Sequence, residues 1–141
     1  MQKIVIISMF YSLLFATENF VGIVKSIEGK VYVKRDNKVF NLNIGSMLKM
    51  GDIIITNAKS SIGITFDDGS RLSLGENSIF NINRYIFKPS KNLFDINLKL
   101  KKGKALFNSG KVGKIAPEAV KFNIPEGVIG IRGTEFLVEV N

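Results

Sequence analysis

The side chains that could carry chemistry in this chain are carboxylates and amines. Its 141 residues include no Cys and no His, which excludes Cys/His and Ser-His-Asp nucleophilic catalysis and the usual zinc sites. Asp67 and Asp68 resemble the carboxylate pair of a glycosidase. However, adjacent residues point apart, and the Gly69 and Ser70 that follow are typical of a hairpin turn. We therefore assign these four residues to a turn and expect no catalytic residue, no cofactor and no metal.

Lysine forms the densest charged feature, in a chain whose formal net charge is +8. Lys99 and Lys101 alternate with leucines, so they are predicted to share one solvated face of a strand. Such a face is either an ordinary solvent-exposed face, which can also protect a sheet edge from unwanted pairing, or a contact with an anionic surface such as lipid headgroups, envelope polysaccharide or an acidic protein. The candidate polyanion face comprises Lys99, Lys101, Lys102 and Lys104. We expect no nucleic-acid partner, because such partners need aromatic stacking platforms among the basic residues.

The elements that must position these residues are β-strands. The composition is 45% hydrophobic with 13 glycines, and the apolar residues alternate in short runs without a helical period. This pattern predicts an all-β fold of about a dozen short strands, too many for one flat sheet of this size. We expect two packed, twisted antiparallel sheets, a β-sandwich or a flattened β-roll built from short hairpins.

Three local predictions accompany this fold. Residues 35–38 are predicted to form a polar turn that leads into a short strand. Residues 94–100 form a regular alternating strand, and residues 105–107 are predicted to form a separate return strand. Tyr32, Tyr85 and Phe87 are candidates for exposed aromatic side chains lining a carbohydrate or peptide groove. For these aromatic residues we favour packing in the core or against the second sheet.

Residues 1–17 resemble a signal peptide. Lys3 precedes an apolar run over residues 4–16, which is shorter than the ~20 residues that a membrane-spanning helix needs. We expect export, with the leader either cleaved or kept as a membrane tether. The alternative is an N-terminal core element of a cytosolic protein. Residues 20–141 are then one β domain, located in the periplasm or elsewhere in the bacterial envelope.

The most distinctive segment lies near the C-terminus. It comprises Gly130, Ile131, Arg132, Gly133, Thr134, Glu135 and Phe136. Period-two alternation places Thr134 and Phe136 on one face of a strand and Glu135 on the other. Arg132 interrupts an apolar stretch, and two roles for it remain open. Its guanidinium either satisfies nearby carbonyls or pairs with Glu135, or it contacts a ligand or partner.

This segment resembles the closing motif of the FecR-domain family, whose members share a V-x-G-I-R-G-T-E-F-type sequence. Residues 22–33 are similar to the family's opening G-x-V hairpin, and residues 42–56 to its L-x-x-G-x-x-L-x-x-G-D-x-I-x-T segment. Residues 64–74 are similar to its F-x-D-G-S-x-L-x-L hairpin. The blocks occur in the family's order and cover nearly all of the chain after the leader.

The resemblance implies a non-enzymatic envelope domain that takes part in signal relay or protein–protein contact, with an envelope or inner-membrane protein as partner. In better-known members, a cytoplasmic segment and a membrane span precede the domain, which relays the state of an outer-membrane receptor to a sigma factor. Neither feature is recognised in this sequence, so we expect a stand-alone adaptor that docks by strand addition at a sheet edge. The alternative is a module that binds an anionic envelope polysaccharide.

Overall fold

The computed structural model describes residues 19–131 and 135–141, so the predicted leader lies outside the described residues. The described residues are mainly β-strand, and helix is limited to α1 (Lys111–Ile115) and two 3-10 turns (Pro89–Lys91 and Pro117–Ala119). The strands are β1 (Phe20–Glu28), β2 (Val31–Arg35), β3 (Lys38–Asn41), β4 (Met47–Lys49), β5 (Ile53–Thr56), β6 (Ser61–Phe66), β7 (Arg71–Leu74), β8 (Ile79–Lys88), β9 (Leu93–Asn108), β10 (Val120–Ile124), β11 (Gly127–Gly130) and β12 (Glu135–Val140).

These strands form one hydrogen-bonded, 12-stranded sheet. Its main path runs β3-β2-β5-β8-β9-β7-β6-β1-β4; β10 and β12 also pair with β9, and β11 pairs with β10. The all-β prediction is confirmed. The expected pair of separate sheets is not confirmed, because β9 is hydrogen-bonded into both halves of the structure. The pairing of β10 with β9 is parallel, unlike the antiparallel pairing expected throughout.

β9 organises the fold as a single strand of 16 residues. The prediction of a separate return strand at residues 105–107 is therefore wrong. The first part of β9 pairs with β8 and β10, and its last part pairs with β7 and β12. Gly103 separates the two parts with a φ of +99°, next to a register shift in the β8–β9 pairing. This backbone conformation bends the strand without reversing it.

The sheet must curl, because its two end strands are close in sequence. The main path holds nine strands, and at about 4.8 Å per strand a flat path would separate β3 from β4 by about 38 Å. Residues 42–46 join these two strands, and a linker of that length covers at most ~21 Å. The ends of the path therefore approach each other. The linker is held to β1, where Gly45 N donates to Val24 O at 2.8 Å.

The core lies on one face of this sheet. Alternate residues of β9 point into it, and Ile96, Leu98 and Leu100 are completely buried. The opposite side, here called the outer face, is the side of the sheet from β3 to β11 that carries polar and partly exposed residues. One row of cross-strand neighbours crosses it: Val39, Lys34, Ile53, Asn81, Lys99, Asn123 and Val128. The outer face is thus the broad surface that the fold leaves available to solvent.

Candidate functional site

The predicted turn residues lie between β6 and β7. Gly69 has a φ of +84°, and its N–H donates to Phe66 O at 2.9 Å, so the glycine supplies the left-handed conformation that this turn requires. Asp67 is exposed, whereas Asp68 is 1% exposed. The two carboxylates therefore occupy different environments and do not face one common site, as a glycosidase pair must.

Asp68 is the centre of a buried polar network. Its Oδ1 accepts hydrogen bonds from Tyr85 Oη at 2.5 Å and from Ser70 N at 3.1 Å. Its Oδ2 accepts from Ser70 Oγ at 2.7 Å and from Val112 N at 3.0 Å. The carboxylate thereby joins the β6–β7 turn to β8 and α1. Four donors saturate its lone pairs, so this arrangement suits a structural role better than proton transfer.

Tyr85 is buried, at 3% exposure, as the interpretation of core packing predicts, so it does not line an exposed groove. Its ring stacks on Phe66 with a centroid distance of 4.3 Å. Burial raises the pKa of the Tyr85 phenol above its ordinary value, and the nearby Asp68 charge adds to this effect. The phenol therefore stays protonated and remains a donor to Asp68. Burial, followed by the Asp68 charge, also raises the pKa of Asp67.

The predicted polyanion face is divided by the structure. Lys99 and Lys101 alternate with buried Leu98 and Leu100 and lie on the outer face, with Lys99 partly buried and Lys101 exposed. Lys102 is exposed beside the Gly103 bend. Lys104 lies beyond the bend, where its Nζ is 4.0 Å from Glu139 Oε2 of β12. The four lysines therefore have different surroundings, and their role as a polyanion face stays a prediction.

The C-terminal motif is described in part. Gly130 ends β11 and pairs with Lys121, and Ile131 packs against the core. Phe136 lies 5.1 Å from Phe122 between ring centroids, and Glu135 Oε2 accepts from Asn108 Nδ2 at 3.3 Å. These contacts attach the terminal strand to the sheet. Arg132, Gly133 and Thr134 lie outside the described residues, so both roles suggested for Arg132 stay predictions.

The end strand β3 forms an exposed edge. Each of its four residues is exposed, and the only strand that pairs with it within the described part of the chain is β2. Val39 is 62% exposed and Phe40 is 46% exposed. A groove of about 300 Å³ separates β3 from β4, with Phe20, Phe40 and Met47 among its lining residues. A sheet edge with exposed apolar side chains can accept an additional strand.

Three asparagines that sequence reasoning missed meet on the outer face. Asn83 Nδ2 donates to Asn97 Oδ1 at 3.0 Å, and Asn123 Nδ2 donates to the same oxygen at 2.9 Å. Alternation with buried residues in β9 and β10 was a signal that Asn97 and Asn123 face outward. The sequence held no signal for the pairing that brings β8, β9 and β10 side by side.

Two features are absent from the described residues. Residues 19–131 and 135–141 hold no helix of the length and apolarity required to span a membrane. In the same residues, no group of three or more His, Cys, Asp and Glu side chains is arranged to hold a metal ion.

Comparisons with known proteins identify the family. One solved structure, a cell surface anchoring domain, matches with a TM-score of 0.42 and 27% sequence identity, covering 43% of this chain and 82% of that chain. No curated protein matches the chain. The FecR protein family matches residues 52–141, which include the β6–β7 turn, all of β9 and the C-terminal motif. The chain therefore belongs to the FecR protein family.

Proposed function

We propose that this chain is a non-enzymatic binding domain of the bacterial envelope, in which the free edge of β3 accepts an extended segment of a partner protein. The observation that carries this proposal is the position of β3 at the end of the sheet path, with every residue exposed. Membership of the FecR family supports a regulatory role for this contact. Residues 1–17 would direct export, and the partner would be an envelope or inner-membrane protein.

The register of the β2–β3 hairpin defines which backbone groups are available. Arg35 pairs with Lys38 across a two-residue turn, and Val33 pairs with Phe40. Leu42 N donates to Val31 O at 2.9 Å. Because hydrogen-bonding direction alternates along an antiparallel strand, residues 38, 40 and 42 bond towards β2. Val39 and Asn41 therefore direct their N–H and C=O groups towards the open edge, where a partner strand can pair with them.

The side chains around this edge indicate the chemistry of the partner. Val39 and Phe40 offer apolar contact on the two faces of β3. Exposed Lys34 and Lys38 flank them, and the nearby carboxylate of Asp52 is engaged by Arg35 at 2.7 Å. The edge is therefore apolar with a basic border. It fits an extended segment in which apolar and acidic residues alternate.

Replacing Val39 with proline is expected to weaken partner binding at least about tenfold, because proline removes an outward N–H that a docked strand needs. The pairing with β2 does not use this N–H, so the domain should stay folded. The matched control is Val39→Thr, which keeps the β-branched shape and the N–H. In the producing cells, a photoreactive residue at position 41 captures the bound segment for mapping by mass spectrometry. A synthetic peptide of that segment then gives the Kd for each variant.

The expected pattern is tight binding by wild type and Val39→Thr, weak binding by Val39→Pro, and slower amide exchange at Val39 and Asn41 in the complex. Equal affinity of the proline and threonine variants would contradict strand addition at β3. So would unchanged exchange at these two amides. Capture of a protein without these effects does not support the proposal.

A second candidate function is binding of an acidic envelope polysaccharide. It is favoured by the meeting of Asn83, Asn97 and Asn123 beside Lys99 on the outer face. Ionic strength separates the two candidates, because exposed ammonium–polyanion contacts weaken steeply with salt. Strand addition depends mainly on backbone hydrogen bonds and apolar burial, with charge only at the border of the β3 edge, so it should weaken much less steeply between about 0.05 and 0.5 M salt.

A further inference from the structure

A shallow recess of about 470 Å³, largely open to solvent, lies on the outer face. It is lined by Asn83 of β8, Asn97 and Lys99 of β9, Asn123 of β10, and residues 124–128 at the connection between β10 and β11. Four polar side chains from three paired strands therefore meet at one place on the outer face.

The orientation of the three amides is fixed by the backbone. Asn123 Nδ2 donates to the carbonyl oxygen of Leu98 at 2.9 Å as well as to Asn97 Oδ1. A carbonyl oxygen only accepts, so the Asn123 atom that faces it must be the nitrogen. Asn97 must then present its oxygen to Asn123, and the same oxygen receives the Asn83 nitrogen. The contacts therefore fix which atom of each of the three amides donates and which accepts.

With the amides in these orientations, a defined set of groups has no partner in the described part of the chain. They are Asn97 Nδ2, a donor; Asn83 Oδ1 and Asn123 Oδ1, two acceptors; and the Lys99 ammonium. Asn81 lies two residues before Asn83 in β8 and is a cross-strand neighbour of Lys99. Its Oδ1 is buried and has no hydrogen-bond partner in the described part of the chain. Asn81 does not line the recess, and the unpaired groups of Asn83, Asn97, Asn123 and Lys99 that do line it are reachable from solvent, so a polar molecule can pair with them.

We propose that this recess binds a carboxylated sugar unit of an anionic polysaccharide. Sugar hydroxyls both donate and accept, so they can pair with the Asn83 and Asn123 oxygens and with the Asn97 nitrogen. The sugar carboxylate pairs with Lys99. Glu126 also lines the recess, where it accepts from hydroxyls and disfavours a densely charged ion such as phosphate. The inference deepens the second candidate function and rests on it.

The sharpest test is Asn97→Asp, which changes the charge and hardly alters the shape. The aspartate keeps an oxygen that can accept from Asn83 and Asn123, but it replaces the free donor with a negatively charged acceptor. Binding of a polygalacturonate oligomer, measured by titration calorimetry at low salt, should fall at least about tenfold. Thermal unfolding of the same sample verifies that the variant is folded.

Lysines on one strand provide a matched pair of variants. Lys99→Gln and Lys101→Gln make the same charge change on the same face of β9, but only Lys99 lines the recess. We expect Lys99→Gln to weaken polygalacturonate binding about tenfold and Lys101→Gln to change it less than about twofold. Neutral dextran tests the need for charge, and dextran sulfate tests the need for a carboxylate.

Each outcome decides one point. If wild type binds neither polygalacturonate nor dextran sulfate, the polysaccharide function fails together with the site. If wild type binds but Asn97→Asp binds equally well, or if the two lysine variants weaken binding equally, the function stands and this recess is not its site. Equal binding of dextran and polygalacturonate overturns the requirement for charge, and equal binding of dextran sulfate and polygalacturonate overturns the requirement for a carboxylate. Strong preference for polygalacturonate with the expected variant pattern supports the proposal.

Discussion

Replacement of Asp68 by alanine is expected to lower the free energy of unfolding by about 3–5 kcal/mol, a large share of the stability of a domain this size. The carboxylate is 1% exposed. Its loss leaves the Tyr85 hydroxyl, the Ser70 hydroxyl and the Val112 N–H buried without their acceptor. The attachments of the β6–β7 turn to β8 and to α1 should weaken together. Chemical denaturation followed by circular dichroism measures the effect.

Two further variants show whether the hydrogen-bond network is the cause. Asp67→Ala changes the adjacent but exposed carboxylate, and its effect should stay within about 0.5 kcal/mol. Asp68→Asn keeps the side-chain shape, but its NH₂ group must face hydrogen-bond donors in either orientation. Asp68→Asn should therefore lower the free energy of unfolding by about 2 kcal/mol or more. If Asp68→Ala and Asp67→Ala have equal effects, Asp68 is not the structural centre that the geometry indicates.

Gly103→Ala should also be strongly destabilising, by about 3 kcal/mol or more. The added Cβ would lie 2.5 Å from Ser78 Cα, and the residue holds a φ of +99°. Backbone strain and a clash with backbone therefore act at the same position. Because this bend connects the two differently paired parts of β9, relief by local movement would disturb the pairing with β8 or β12.

Gly51→Ala is the matched control for the clash. Gly51 has a similar φ of +89°, but nothing lies within 4 Å of the position that a Cβ would occupy there. Gly51→Ala should therefore lower the free energy of unfolding by the backbone strain alone, about 1–2 kcal/mol. The difference between the two variants in denaturant unfolding therefore isolates the contact with Ser78. If Gly103→Ala and Gly51→Ala lose equal amounts of unfolding free energy, the protein relieves the close contact between the added Cβ and Ser78 without a loss of stability.

Local features of the fold were accessible from the sequence. The polar residues 35–38 predicted a turn and the strand after it, and the structure has a turn between β2 and β3. Asp68, Gly69 and Ser70 marked the turn between β6 and β7 in the same way. Such turns depend on short-range preferences for positive φ and for side-chain-to-backbone hydrogen bonds. These preferences act within a few residues, so the sequence alone reveals them.

The continuity of β9 was not accessible in this way. Lys101, Lys102 and Gly103 have the composition of a turn, which predicts a return strand after them. In the fold, Gly103 uses its positive φ for a bend, and the strand continues to Asn108. A glycine permits either outcome. The pairing of residues 103–108 with β12 and of residues 105–108 with β7 favours continuation.

The sequence by itself determined the strand-rich class, the positions of the tight turns, the face of β9 on which Lys99 lies, and membership of the FecR family. Only the tertiary structure decided that the strands form one curled sheet, that Tyr85 donates to Asp68, and that Asn83, Asn97 and Asn123 meet around one recess. The physical reason is that alternation specifies the face of a residue within its own strand. The partner strand and the register are set by how all the apolar faces are buried together.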